Sequence, residues 1–276
     1  MRSLRSVLQS GQARTFALWL EAHVPFVREW HRVAYEEHFF RVSRWERLFY
    51  GVYPDFASAE KAIPKQFPVG YDNSAASSFL GHKLSIRSSD YPILFWLRCL
   101  FDENDKVFDF GGYLGISYWS YAPLIDFPAS LSWTVYDVPA VVEKGKEMQL
   151  VRPSSALSYT TDFSEAAKAD ILLASGSLQF CVRDLADYLS ELKTLPKHLL
   201  INETPMVATE PFVTLQNMGP ALAPYRILQE QQFIDSLTNL HYRVVDQWKN
   251  DDFACVIPFE PDRTVRAFTG MYLRRD

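Results

Sequence analysis

From residue 106 onward the chain alternates short apolar runs with segments of helical period. Val107, Phe108 and Phe110 form a run of the kind that makes a buried parallel strand. Residues 132–136, 158–161, 170–174 and 198–201 repeat that pattern. The spacing between them predicts helices over 113–125, 139–150 and 184–194, with Pro139 in the first turn of the second. Such alternation predicts an α/β fold with a parallel sheet. Residues 204–226 read as a long loop, because Pro205, Pro211, Gly219, Pro220 and Pro224 interrupt them. A helix over 229–239, a strand over 242–248 and a last strand over 268–274 follow. The connection 250–266 is polar and lacks a helical period, so the last strand is expected to run antiparallel beside its predecessor.

The N-terminal part has a different pattern. Phe16, Trp19, Leu20 and His23 recur at helical spacing, as do Trp30, Val33 and Ala34, with Pro25 separating two helices or opening the second. Trp45, Leu48 and Phe49 extend the apolar pattern. Residues 51–90 read as irregular, with one short helix over 58–63 and a polar turn at 70–73 of the kind found in surface loops or lining pockets. The stretch 91–101 is apolar nearly all round, follows the cap Ser89-Asp90, and is expected to be a buried helix under the sheet. The expected organisation is a helical or irregular cap over 1–90 and an α/β domain over 91–276.

Composition narrows the function classes. A net charge of −5 argues against nucleic acid as the main partner. No apolar run reaches the roughly 18 residues of a membrane span. Residues 1–50 carry eight arginines against five glutamates among many aromatics. That basic, aromatic face either touches a membrane peripherally or packs as a cap on the main domain. Cys99, Cys181 and Cys255 have no metal-ligand spacing, and a reduced, cytoplasmic setting is expected. The six histidines are too scattered for a metal site, and only His82 lies in a lid-like segment.

Candidate chemistry centres on residues 106–115. Asp109 ends the first strand and Gly111, Gly112 and Gly115 follow, a turn that lets backbone approach a nucleoside closely. The spacing differs from the Gly-x-Gly-x-x-Gly of dinucleotide binders, and a carboxylate beside a pyrophosphate is repulsive, whereas beside an ammonium or sulfonium it is favourable. Asp137 ends the second strand, 22 positions past Gly115, where an acid reaches ribose hydroxyls. Asp162 follows the third and is placed for an adenine amino group. Each acid alone also suits a helix cap or a solvated loop. Ligands of open α/β sheets bind outside the carboxyl ends of the strands, so all three acids are expected to face one crevice.

These residues resemble a known family. Asp-Phe-Gly-Gly-x-Leu-Gly at 109–115, Asp-Val-Pro-Ala-Val-Val-Glu at 137–143, Leu-Leu-Ala-Ser-Gly-Ser-Leu-Gln at 172–179, Leu-Leu-Ile-Asn-x-Thr-Pro at 199–205 and Phe-Val-Thr-Leu-Gln-Asn-Met-Gly-Pro at 212–220 carry the likeness. It is similar to a bacterial family of class I S-adenosylmethionine-dependent methyltransferases, often found among genes for surface-polysaccharide synthesis. The resemblance implies a Rossmann-like sheet of order 3-2-1-4-5-7-6 with the last strand antiparallel, and S-adenosyl-L-methionine as cofactor. It implies a small-molecule or sugar-derived substrate. The cofactor set would be Asp109, Gly111, Gly112, Tyr113, Gly115, Asp137, Asp162 and Ser175. Tyr113 stands where the broader class has glycine; its ring either crowds the cofactor or swings away.

On the substrate side, Gln179, Gln216, Asn217, Tyr225 and Arg226 follow the fourth and fifth strands, and Arg226 suits an anionic group. Glu203, with Asn202 before it, is the candidate general base at a strand end. Two other readings stay open: a nicotinamide-dependent oxidoreductase, favoured by a parallel last strand reached through a helix, and a non-catalytic binding module with Tyr113 filling the cofactor pocket.

Overall fold

The computed structural model describes residues 25–43, 46–77 and 85–276. The helix expected around residues 16–23, Trp45 and the lid candidate His82 lie outside them. The chain enters with α1 (Pro25–Arg41), β1 (Leu48–Tyr53), α2 (Phe56–Lys61), α3 (Ser74–Ser77) and α4 (Asp90–Leu100). The alternating part follows as β2 (Lys106–Phe110), α5 (Ile116–Tyr121), β3 (Ser132–Tyr136), α6 (Pro139–Val151), β4 (Leu157–Thr160), β5 (Ile171–Ser175), α7 (Leu185–Ser190) and β6 (His198–Thr204). Then come β7 (Met206–Val207), β8 (Phe212–Asn217), β9 (Leu222–Gln229), α8 (Glu230–Thr238), β10 (Tyr242–Asn250) and β11 (Phe268–Arg275).

The main sheet has seven strands in the order β4-β3-β2-β5-β6-β11-β10. Six of the seven strands run in one direction, and β11 runs antiparallel between β6 and β10. This is the Rossmann-like class I methyltransferase sheet. No α-helix joins β10 to β11, so the arrangement that would favour an oxidoreductase is not met. Alternation along each strand sorts the core. Val107, Trp133, Val135, Ile171 and Leu173 face α4 and α5, while Phe108, Phe110, Leu172, Ala174 and Ile201 face the side of α7 and α8.

Two elements differ from expectation. Residues 204–226 are not a long loop: β8 and β9 pair with each other, and β8 pairs with β1, in a second sheet of order β1-β8-β9-β7. Pro224 fits inside β9 because β7 reaches only Leu228 and Gln229, so no neighbouring strand needs its missing N–H. This sheet ties the region before residue 90 to the region after 200. Helix α4 is not apolar-faced into the core on every side either. Ile93, Leu94 and Leu97 are buried, whereas Tyr91 and Phe95 stand in solvent, 64% and 58% exposed.

Helix α1 docks through its C-terminal half. Phe39 is fully buried against Leu215 and Leu222, and the Asn217 amide donates to the carbonyls of Phe39 (2.6 Å) and Val42 (2.9 Å). The last carbonyls of a helix lack intrahelical partners, and Asn217 supplies one. Asn217→Ala should therefore cost about 2 kcal/mol by orphaning these groups, read as a lower urea midpoint, and should speed proteolytic cleavage within α1.

Candidate functional site

The site is built at the carboxyl ends of β2, β3, β5 and β6. Strand β2 delivers Asp109 on the face covered by α4 and α5, and Gly111 then turns the chain with φ +68°. A side chain on Gly111 would meet Ser177 at 2.4 Å, and one on Gly112 would lie 2.4 Å from the Asp109 carboxyl carbon. The two glycines thus let the turn close directly over the carboxylate. Gly115, with φ +76°, opens α5, which starts three residues later than the apolar pattern predicts because Tyr113 also takes a left-handed φ of +54°.

Asp109 is 1% exposed. Its Oδ2 accepts from Trp133 Nε1 at 3.0 Å, whereas Oδ1 is buried with no hydrogen-bond partner among the described residues. Burial drives its pKa up to about 7, with the Trp133 bond opposing and the nearby Asp137 charge adding to the rise. Asp137 accepts from the backbone N–H of Tyr113 (2.9 Å) and Val138 (2.8 Å), and burial raises it to about 6 against those two bonds. A carboxylate has about four acceptor sites, so Asp137 keeps capacity for further donors.

Asp162 does not join this pair. It caps the turn Phe163–Lys168, accepts from Ser164 N–H at 2.9 Å, stays exposed, and is held below the usual carboxylate range by those hydrogen bonds. Tyr113 swings toward the cap region: its hydroxyl donates to the Ala76 carbonyl at 2.6 Å, and its ring lies edge-on to Tyr71 among Leu114, Val138 and Val141. The turn at 70–73 therefore sits over the glycine turn, and Asp72 accepts from Ala140 N–H at the start of α6.

On the other side of Gly176, the carboxyl-terminal part of β6 carries Asn202 and Glu203. Asn202 is fully buried; it donates to Ser175 Oγ at 3.4 Å and accepts from Trp248 Nε1 at 3.3 Å. Glu203 sits at φ +50°, a backbone region that non-glycine residues occupy mainly in turns and functional sites. Both its oxygens accept from Arg87 Nη1, at 2.9 and 2.8 Å, and Ser89 Oγ donates to one of them at 2.8 Å. Burial raises its pKa, and Arg87 opposes the rise. Gln179 lies beside this pair, with its amide nitrogen on the Gly176 carbonyl.

The remaining substrate-side candidates occupy other environments. Asn217 holds the end of α1. Arg226 pairs with Asp184 at 2.8 Å and donates to the Arg183 carbonyl, so its charge is already matched by a loop acid. Tyr225 is buried between Phe49 and Phe180. Gln216 is 3% exposed, and its Oε1 lacks a partner among the described residues. Arg47, Arg87 and Phe253 were not singled out in the sequence. They come from three distant segments, and nothing local marks them.

No protein-family model matches the chain, and no characterised protein sequence matches it. Solved structures do resemble it. A Burkholderia thailandensis 1,6-didemethyltoxoflavin-N1-methyltransferase, bound to that compound and S-adenosylhomocysteine, is 16% identical over 68% of this chain and 78% of its own, with a TM-score of 0.46. The CcbJ methyltransferase from Streptomyces caelestis is 11% identical, covering 66% and 88%, with a TM-score of 0.44. The glycopeptide N-methyltransferase MtfA, complexed with S-adenosyl-L-methionine, is 10% identical, covering 72% and 99%, with a TM-score of 0.46. The fold class rests on the strand pairing itself and not on these likenesses.

Proposed function

We propose that the chain is an S-adenosylmethionine-dependent methyltransferase acting on a small molecule, in the cytoplasm, with a sugar-derived intermediate of surface-polysaccharide synthesis as the substrate class. The observation that carries this reading is the unpartnered Oδ1 of Asp109, buried beneath the glycine turn. A buried carboxylate is stable only with a hydrogen-bonded or cationic partner. The α-ammonium of the cofactor's methionine part is of the right charge, and Asp137 retains acceptor capacity for ribose hydroxyls. The residues present therefore fit the cofactor. When bound, it would supply an electrophilic methyl group.

The protein's own contribution would be orientation and exclusion of water. Asp109 and Asp137 would fix the cofactor, and Gly111 and Gly112 would let the backbone approach it. Glu203 would take the proton of the attacking group, with Arg87 and Ser89 holding its carboxylate and Asn202 steadying the strand end. Exposed Trp30 and Val33 on α1 support peripheral membrane contact as a further part of this reading.

Isothermal calorimetry should give a micromolar dissociation constant for S-adenosylhomocysteine. Absence of binding at millimolar ligand would sink the proposal. A second reading, a binding module without turnover, is favoured by the Tyr113 ring, which packs beside Val138 next to Asp137. That reading wins if the wild type fails to bind and Tyr113→Gly alone restores affinity.

A further inference from the structure

We propose that Arg47 is the anion-recognition residue of the acceptor site, so that the molecule methylated carries a carboxylate or phosphate; this rests on the methyltransferase reading above. Three strands of observation meet at this residue. Its guanidinium carbon lies 3.5 Å from the centroid of the Phe253 ring, and that of Arg87 lies 4.9 Å from the same ring. Two cations therefore share one aromatic platform near the Glu203 carboxylate. Both oxygens of that carboxylate are engaged by Arg87. Arg47 Nη1 is buried with no hydrogen-bond partner among the described residues. Asp90 and Asp252, which lie close by, accept from the Arg87 backbone N–H and from Ser88, so among the described residues no acid hydrogen-bonds Arg47 Nη1.

The Arg47 guanidinium is also held in a costly state. Burial lowers its pKa, with Tyr225 and Glu203 opposing that fall and Arg87 adding to it. Its backbone takes φ +52°, outside the region ordinary residues prefer. A guanidinium stacked on a ring keeps its edge N–H groups in the ring-parallel plane, ready to chelate a planar or tetrahedral oxyanion with two bonds. Strain and an unpaired buried charge together are features that a folded chain retains where a ligand completes the site.

The position suits an acceptor molecule. Tyr71 and Tyr225 are electrostatic neighbours of Arg47, and Tyr71 lies against Tyr113 of the glycine turn. Arg47 therefore has both Glu203 and, through Tyr71, the glycine turn in its surroundings. Two further buried groups nearby lack partners among the described residues: Oε1 of Gln216, which pairs across from Phe49 two residues beyond Arg47, and Oε1 of Gln179 beside Glu203. Orphaned acceptors ask for donors, as a hydroxylated molecule would bring. The implied substrate class is a hydroxylated small molecule bearing one oxyanion.

The test uses the full chain, wild type and Arg47→Met, melted in buffers of equal ionic strength in which sodium phosphate or sodium acetate replaces sodium chloride. The wild type should gain about 3 °C or more in at least one oxyanion buffer. Phosphate or acetate, whichever acts, names the group. Arg47→Met should lose that response while melting no lower than the wild type in chloride, because a buried unpaired cation has been removed. Arg47→Lys, which keeps the charge, should retain part of the response. Both substituted proteins should bind S-adenosylhomocysteine within about twofold of the wild type. The proposal is overturned if the wild type shows no oxyanion response, if Arg47→Met keeps it, or if Arg47→Met melts lower in chloride. It is overturned too if Arg47→Met loses tenfold or more in S-adenosylhomocysteine affinity, which would assign Arg47 to the cofactor's own carboxylate. A wild type that responds to oxyanions but binds no S-adenosylhomocysteine overturns the methyltransferase reading alone.

Discussion

Asp109→Asn should raise the melting temperature of the ligand-free protein at pH 8 while weakening S-adenosylhomocysteine binding at least tenfold. The carboxyl group is 1% exposed, and its pKa rises from the ordinary 3.8 to about 7 on folding. An acid whose folded pKa is raised favours folding below its unfolded pKa. That contribution falls as pH climbs from about 4 to about 7, and the penalty is complete above that. A rise of that size corresponds to about 4 kcal/mol. Asparagine has no proton to lose, so it escapes the penalty, but its amide places N–H groups where an orphan oxygen stood and returns about 1–2 kcal/mol. A net gain of about 2 kcal/mol at pH 8 should shrink as pH falls and turn into a deficit of about 1 kcal/mol near pH 4, where only the amide's cost remains, read by thermal melts across that range. The binding loss has the opposite origin: a charge-assisted bond to an ammonium contributes roughly 1.5–3 kcal/mol, which asparagine cannot supply. A substituted protein both less stable and unimpaired in binding would remove Asp109 from the cofactor site.

The acids and glycines around β2 were readable because the signal is local. A short apolar run marks a strand buried on both faces, and the residue after it lies at the ligand edge of an open sheet whatever the rest of the chain does. Asp162 shows the limit of that logic. A strand-end acid and a cap of the following turn are the same residue type at the same spacing, and only the Ser164 bond separates them. The second sheet was hidden for another reason. Its prolines and glycines resemble loop punctuation, and they are tolerated because β9 has a largely free edge, a fact of pairing that no window of residues contains. Arg226 illustrates the same point in the site: its matching acid, Asp184, arrives from another segment. Arg47, Arg87 and Phe253 converge only in three dimensions, and their chemistry is likewise invisible until the fold brings them together.

Arg87→Met should destabilise the protein by about 2–3 kcal/mol at pH 8, measured by urea unfolding, because it strands Glu203. The glutamate side chain is 7% exposed and the arginine 34%, so the pair sits at the edge of the solvent. Breaking a fully buried pair from one side costs roughly 3–5 kcal/mol, and partial access of water to Arg87 reduces the figure. The sign of the pH dependence follows from Glu203. Burial already raises its pKa, and loss of Arg87 removes the chief opposing charge. A raised acid stabilises the fold at pH values below its unfolded pKa and loses that contribution as pH rises, so the deficit should narrow as the solution is acidified toward pH 5. Adding Glu203→Gln to Arg87→Met should recover most of the lost stability, since no charge is then left buried. Activity should separate the two roles. Glu203→Gln alone is expected to lower kcat by about a hundredfold or more with KM little changed, as for loss of a general base. Arg87→Met should leave a measurable rate whose pH profile is displaced upward, because its base is still present but harder to ionise. If Glu203→Gln left kcat intact, the left-handed strand end would be an anchor for Arg87 and Ser89, and the proton would have to leave the acceptor by another route.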